Sequence, residues 1–220
     1  ALRLEGRFND FYPKYLAALK TDGWPIDVIT LHSYPSGDGN PAMRAMLVKK
    51  FKDAIATAGV PSTIPIWDTE LNYGLGGPGS IPKQQITGAK AAGWIVRTYI
   101  DNLRQGVERA YWYIWTQKPY DLLGIQAYPG SDGEQGFFAV DNWVVGSEFK
   151  GCTESGTSVI CTFTRDGQTS VVAWSETGQA DYTAPAGAQL VCDPLASCQE
   201  IAEGAKVTLT EVPVRIYLQG

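Results

Sequence analysis

The stretch IPIWDTELNYG, Ile64 to Gly74, decides how the rest of the chain is read. Ile64 to Asp68 are apolar and β-favouring, with Pro61 ahead of them and a Gly/Pro-rich run behind, which predicts a short buried strand. Side chains alternate along a strand, so Ile66, Asp68 and Glu70 are expected on one face and Trp67 and Thr69 on the other. A carboxylate, Glu70, then stands where the strand runs out into a glycine-rich loop. In parallel α/β proteins ligands gather at the carboxyl ends of strands, and this makes Glu70 the first candidate for chemistry.

Upstream, a helix is expected from Asn9 or Asp10, with Pro13 tolerated in its opening turn, Phe11, Tyr15, Leu16 and Leu19 on one side and a stop at Gly23. Ile26 to Leu31 form a near-continuous apolar strand, ending in His32 and Tyr34 at the mouth of the loop SGDGNP. A helix over Pro41 to Ala58 opens with proline, carries Met43, Met46, Leu47, Phe51 and Ile55 at helical spacing and closes at Gly59. Downstream, Ser80 is placed to cap a helix over 82–105 with Ile86, Ile95, Tyr99, Ile100 and Leu103 as core candidates. RAYWYIWTQ then reads as a third strand, ending at Trp115 and Thr116, and a weaker helical pattern covers Glu134 to Val145. Strand starts about 40 residues apart are βα-repeat spacing and call for a parallel sheet with right-handed crossovers.

From about Lys150 the helical period disappears. SVICTFTRDGQTSVVAWSET reads as two alternating strands joined at Asp166 and Gly167, and further short strands follow around Gln189 to Cys192 and in KVTLTEVPVRIYLQ. The expected division is 1–149 as an α/β domain and 150–220 as a small all-β domain. The four cysteines, Cys152, Cys161, Cys192 and Cys198, all lie in this last part. No CxxC pair occurs and the only histidine, His32, is far upstream, which argues against zinc. Two local disulfides, Cys152 with Cys161 and Cys192 with Cys198, are the simplest arrangement, and they favour an exported or cell-surface protein. With 18 basic against 23 acidic residues and no basic cluster, the chain has no electrostatic basis for nucleic-acid binding. No apolar run approaches the roughly 18 residues of a membrane span.

Three parallel strands ending in His-Ser-Tyr, Trp-Asp-Thr-Glu and Trp-Thr, followed by a small β-domain, resemble the C-terminal half of a clan A retaining glycoside hydrolase. The resemblance implies a partial (β/α)8 barrel, strands six to eight, with an appended antiparallel β-sandwich. It places His32 and Tyr34 at the end of the sixth strand, Glu70 as the nucleophile ending the seventh, and Trp115 as the substrate-stacking aromatic ending the eighth. It also implies a carbohydrate substrate, no metal and no organic cofactor. Retaining glycosidases need a second carboxyl group, the acid/base, about 5 to 5.5 Å from the nucleophile. The family carries it in an Asn-Glu motif ending the fourth strand, and no Asn-Glu dipeptide occurs in this sequence. A remnant of three strands would expose both sheet edges, so the expectation is a piece of a longer protein, or one of two chains that assemble into a barrel.

As a nucleophile Glu70 must be ionised, and a hydrogen bond from Tyr34, which the resemblance places within reach, would favour the charged form. His32 is expected to bond a sugar hydroxyl, and Trp115 to offer a flat apolar face. Each has a plainer reading. Glu70 alone could be a solvated strand-end acid, His32 and Tyr34 packed side chains, and Trp115 core. Asp68 is expected on Glu70's face but deeper, in a structural hydrogen bond. Asp132 and Glu134 are solvated loop acids or the rim of a cleft. Gly74, Gly76 and Gly79 spell G-x-G-x-x-G. Pro78 and Pro82 stiffen that turn and no acid closes a second strand about 20 residues on, so a glycine-rich cleft rim is favoured over a dinucleotide site. The reading from another functional class is a non-catalytic carbohydrate-binding or accessory protein, in which Trp115 and Trp174 stack on sugar rings.

Overall fold

The computed structural model describes residues 5–35, 37–75, 84–120 and 122–219, with backbone alone over 5–8. The chain divides into two compact units, one of residues 1–85, 101–115 and 120–125, the other of 86–100, 116–119 and 126–220.

The first unit is built on a parallel sheet of three strands in the order β1 (Ile29–His32), β2 (Ile66–Leu71), β3 (Arg109–Trp112), with helix α1 (Glu5–Thr21) before β1 and α2 (Pro41–Ala58) between β1 and β2. Helix α2 has the expected bounds because both ends are chemically specified. Asn40 Oδ1 accepts from the Met43 N–H at 3.0 Å, proline fills the first turn, and Gly59 takes the left-handed conformation (φ 78°) that ends the helix. Its buried stripe differs from the expected one. Arg44, Val48, Phe51 and Ile55 face inward while Met46 is 69% exposed, because a buried acid on β2 draws the arginine in.

Helix α1 starts earlier than expected, so Pro13 lies inside it rather than in its opening turn. The lost backbone bond is offset by packing of Tyr12 and Leu16, with the Tyr12 and Phe51 rings 4.4 Å apart between centroids. Of the residues expected on one side, Leu16 is buried while Phe11 and Tyr15 stack on each other in the exposed part of the helix at 5.9 Å. β3 is also shorter than expected. It ends at Trp112, so Trp115 lies beyond the strand in irregular chain that contains a cis Tyr113–Ile114 peptide.

Helix α3 (Gly88–Arg104) contributes to both units, its residues to Ile100 to the second and the rest to the first. The expected cap Ser80 and first turn of this helix fall in 76–83, outside the described residues; residues 84–87 are not helical. Leu103, expected in the core, is 37% exposed.

The second unit contains helix α4 (Asp132–Trp143), whose first turn is capped by Ser131 Oγ accepting from the Glu134 N–H. It also contains a six-stranded antiparallel sheet, in the order β4 (Glu148–Ser155), β5 (Ser158–Arg165), β6 (Gln168–Ser175), β11 (Val214–Leu218), β8 (Ala188–Cys192), β9 (Cys198–Glu200). A two-stranded ribbon pairs β7 (Ala180–Thr183) with β10 (Lys206–Leu209). The β5–β6 connection is the two-residue turn read from the sequence. Asp166 (φ 51°) and Gly167 (φ 81°) both adopt positive φ, the requirement of a turn whose twist matches the flanking strands. Cys152 is bonded to Cys161 across β4–β5 and Cys192 to Cys198 across β8–β9, each pair directly opposed in the ladder. No helix among the described residues is long and apolar enough to cross a membrane.

Candidate active site

The parallel sheet of the first unit has a covered side and an open side. Ile29, Leu31, Ser33, Asp68 and Leu71 are buried on the covered side, whereas Thr30, His32, Arg109 and Tyr111 are exposed. On a regular strand Asp68 and Glu70 would point the same way. They do not, because the ladder slips twice, between Leu31 and His32 against β2 and between Asp68 and Leu71 against β3. This irregularity turns Glu70 to the side opposite Asp68, which corrects the expected shared face.

Glu70 meets the two residues that end β1. The Tyr34 hydroxyl donates to Glu70 Oε1 at 2.6 Å, and His32 Nδ1 lies 3.3 Å from Glu70 Oε2. The carboxylate is 30% exposed and the imidazole 46%, so the group is held yet accessible. Burial pushes the Tyr34 hydroxyl far above the ordinary tyrosine value, and its hydrogen bond to Glu70 and that group's charge act in the same direction. Tyr34 is therefore a fixed proton donor toward Glu70.

Beneath the sheet, Asp68 Oδ2 accepts from Ser33 Oγ at 2.5 Å and from Arg44 Nη2, and Arg44 also donates to Asn102 Oδ1 at 2.5 Å. Asp68, Arg44 and Ser33 are fully buried. Ser33 lies between His32 and Tyr34, so this network anchors the segment that supplies both of Glu70's partners. Asp68 has the structural role expected of it. Arg44 and Asn102 had no recognisable signal, since each is a polar residue within an otherwise ordinary helical pattern.

The loop after β2 is fixed by Asn72, which sequence reasoning passed over. Its amide donates to Tyr113 O at 2.6 Å and Ile125 O at 3.1 Å, while Oδ1 accepts from the Tyr73 and Ile125 N–H groups. Gly74 adopts φ 59°, and a Cβ there would lie 2.2 Å from Gln84 O, so this position takes glycine for backbone reasons. Gly76 and Gly79 of the glycine pattern lie outside the described residues.

Trp115 is 47% exposed, past the end of β3. Trp67 lies on the open side with the Arg109 guanidinium 4.6 Å from its ring centroid and the Tyr111 ring at 6.3 Å. Trp174, the second aromatic of the binding alternative, is fully buried in the other unit. Asp132 and Glu134 are committed to α4's surroundings: Asp132 Oδ2 accepts from the Gly88 N–H at 2.6 Å and Glu134 Oε2 from the Gly130 N–H at 2.7 Å. Among the described residues no group of three or more His, Cys, Asp or Glu side chains could hold a metal ion.

No family model and no curated protein matches the sequence. Solved structures do. A family 39 glycoside hydrolase from Bacteroides cellulosilyticus WH2 aligns with a TM-score of 0.65 at 14% identity, covering 92% of this chain and 46% of that one. A family 51 alpha-L-arabinofuranosidase from Bifidobacterium longum aligns with a TM-score of 0.56 at 12% identity, covering 94% and 57%. A conserved exported protein from Bacteroides fragilis aligns with a TM-score of 0.53 at 11% identity, covering 88% and 46%. The chain thus spans about half the length of the structures it matches, and at these identities the likeness is one of fold. Two of these three structural neighbours are glycoside hydrolases of families 39 and 51.

Proposed function

We propose that this chain carries the nucleophile of a retaining glycoside hydrolase acting on O-glycosyl bonds of a polysaccharide or glycoside. The observation that supports this best is the pairing of a partly exposed strand-end carboxylate, Glu70, with the Tyr34 hydroxyl at 2.6 Å. In this reading 1–149 belong to the last part of a (β/α)8 barrel and 150–220 to an appended β-sandwich. The remaining strands, and the acid/base that the sequence lacks, come from an N-terminal barrel half, on the same parent chain or a second one. The protein acts outside the cytoplasm, in keeping with its two disulfides.

The chemistry runs in two displacements. A Glu70 oxygen attacks the anomeric carbon as the bond to the leaving oxygen breaks, the electron pair leaving with that oxygen, which takes a proton from the acid/base. Water, deprotonated by the same group, then attacks the anomeric carbon and releases Glu70. Tyr34 orients the carboxylate throughout, His32 bonds a sugar hydroxyl and Trp115 stacks on a ring. No step requires a cofactor.

The test is to incubate the complete-barrel protein with a 2-fluoro glycoside bearing an activated leaving group, which needs little acid help, and to map the adduct by peptide mass spectrometry. A sugar ester on Glu70 is expected. Hydrolysis of natural substrate with no adduct, and undiminished turnover in Glu70→Gln, would overturn the assignment in favour of another nucleophile. Sugar binding without any turnover would favour the non-catalytic carbohydrate-binding reading.

A further inference from the structure

In the second unit, a cavity of about 360 Å³ lies among the end of α4, the β5–β6 turn, the Cys192–Cys198 pair and β11. That volume is within the range of small-molecule sites, roughly 300–1,000 Å³. Two guanidinium groups line it. Arg215 on β11 is only 6% exposed, with Nε donating to Ser170 Oγ at 3.0 Å and Nη1 to Asn142 O at 2.7 Å. Arg165, at the end of β5, donates through Nη2 to Asp141 O at 3.1 Å, and its Nε is buried without a hydrogen-bond partner.

Among the described residues neither arginine forms an ion pair. Two acids also line the cavity, Asp166 and Asp193. Asp193 Oδ1 already accepts from the Leu195 and Ser197 N–H groups, and Asp166 sits in the hairpin turn. Burial lowers the proton affinity of Arg215; Tyr217 partly opposes this, and the neighbouring Arg165 charge adds to it. A fully buried cation without a counter-ion is costly, and an anion entering the cavity would relieve that cost.

We propose that this cavity binds an acidic saccharide, gripping its carboxylate between Arg165 and Arg215. Planar guanidinium groups match a carboxylate in bidentate fashion. Around them, Phe138 (52% exposed) offers a ring face and Gln135 and Gln168 offer amides for hydroxyls, while the Tyr217 ring carries the Arg215 guanidinium 4.4 Å from its centroid. The anion follows from the arginines alone; the choice of a sugar rests on the glycosidase reading.

The test is calorimetric titration of the complete-barrel protein with D-glucuronate, D-glucose and sodium sulfate, beside Arg165→Gln and Arg215→Lys variants whose thermal unfolding shows them folded. Saturable glucuronate binding is expected, with glucose at least tenfold weaker and both variants weakened tenfold or more. Glucuronate that fails to saturate, or binds Arg165→Gln as tightly as the parent, overturns the site. Sulfate bound as tightly as glucuronate overturns the saccharide assignment and leaves an adventitious ion only. Glucuronate binding is read without any glycosidase assay, so this proposal and the Glu70 assignment can fail independently.

Discussion

Asp68 and Glu70 lie on the same short strand, yet Asp68 accepts from Arg44 and Ser33 beneath the sheet while Glu70 accepts from Tyr34 above it. The slips in the β1–β2 and β2–β3 ladders separate them. An irregularity of this kind re-aims a side chain without moving the strand, and here it divides two acids into a buried anchor and an accessible group.

That division predicts opposite phenotypes. Glu70→Gln in the complete-barrel protein should lower turnover by at least about 10³-fold while leaving thermal stability and sugar binding near the parent's, since the group is partly solvated and acts in the reaction. Asp68→Asn should lower stability first. Kinetics and thermal unfolding measured on both variants separate the roles; a stability loss in Glu70→Gln matching that of Asp68→Asn would contradict the division.

Arg44→Leu leaves Asp68 buried and charged without its cation, and should destabilise the fold by about 3–5 kcal/mol. The double variant Arg44→Leu/Asp68→Leu removes both charges and should regain part of that loss, because replacing a buried pair entirely is far less harmful than breaking it. Denaturant midpoints at neutral pH measure both. Equal stability of the single and double variants would show that the pair is not coupled.

Tyr34 gives a pH signature. Its folded-state proton affinity is raised above the ordinary tyrosine value of 10.0, first by burial and then by Glu70. The folded chain therefore keeps a proton that the unfolded chain releases above about pH 10. Stability from this group is complete below that pH and declines as pH rises beyond it. Tyr34→Phe should flatten the decline between pH 9 and pH 11, measured by denaturant unfolding. It should also lower turnover about 10- to 100-fold, the effect of losing a hydrogen bond to a charged group.

Each disulfide closes a short loop, with sequence separations of 9 and 6. Loop-closure entropy assigns each about 2–3 kcal/mol. Cys152→Ser/Cys161→Ser and Cys192→Ser/Cys198→Ser should each lower the melting temperature. The second pair borders the arginine cavity, so its removal should also weaken glucuronate binding in calorimetry, whereas loss of the first should not.

Much of this was legible along the chain because it is written locally. Asn40, Pro41 and Gly59 specify the ends of α2, and Asp166-Gly167 specifies a tight hairpin, since such features depend on neighbours a few residues away. Cys152 and Cys161, and Cys192 and Cys198, are close enough in sequence to meet across adjacent strands. Helical faces were less legible. Periodicity marks which residues share a side but not which side is inward: Phe11 shares the expected side with Leu16 yet is exposed, and Leu103, a core candidate, is 37% exposed.

The sequence by itself determined that a carboxylate ends the second of three βα-spaced strands, with a histidine and a tyrosine ending the first. Hydrophobic runs and turn residues act over short range, and they sufficed for that. Tertiary structure alone decided that Asp68 and Glu70 part company, that Arg44 and Asn102 come from distant helices to anchor the site, and that Arg165 and Arg215 converge on one cavity. These facts depend on ladder register and on contacts between residues far apart in the chain, and no local pattern encodes either.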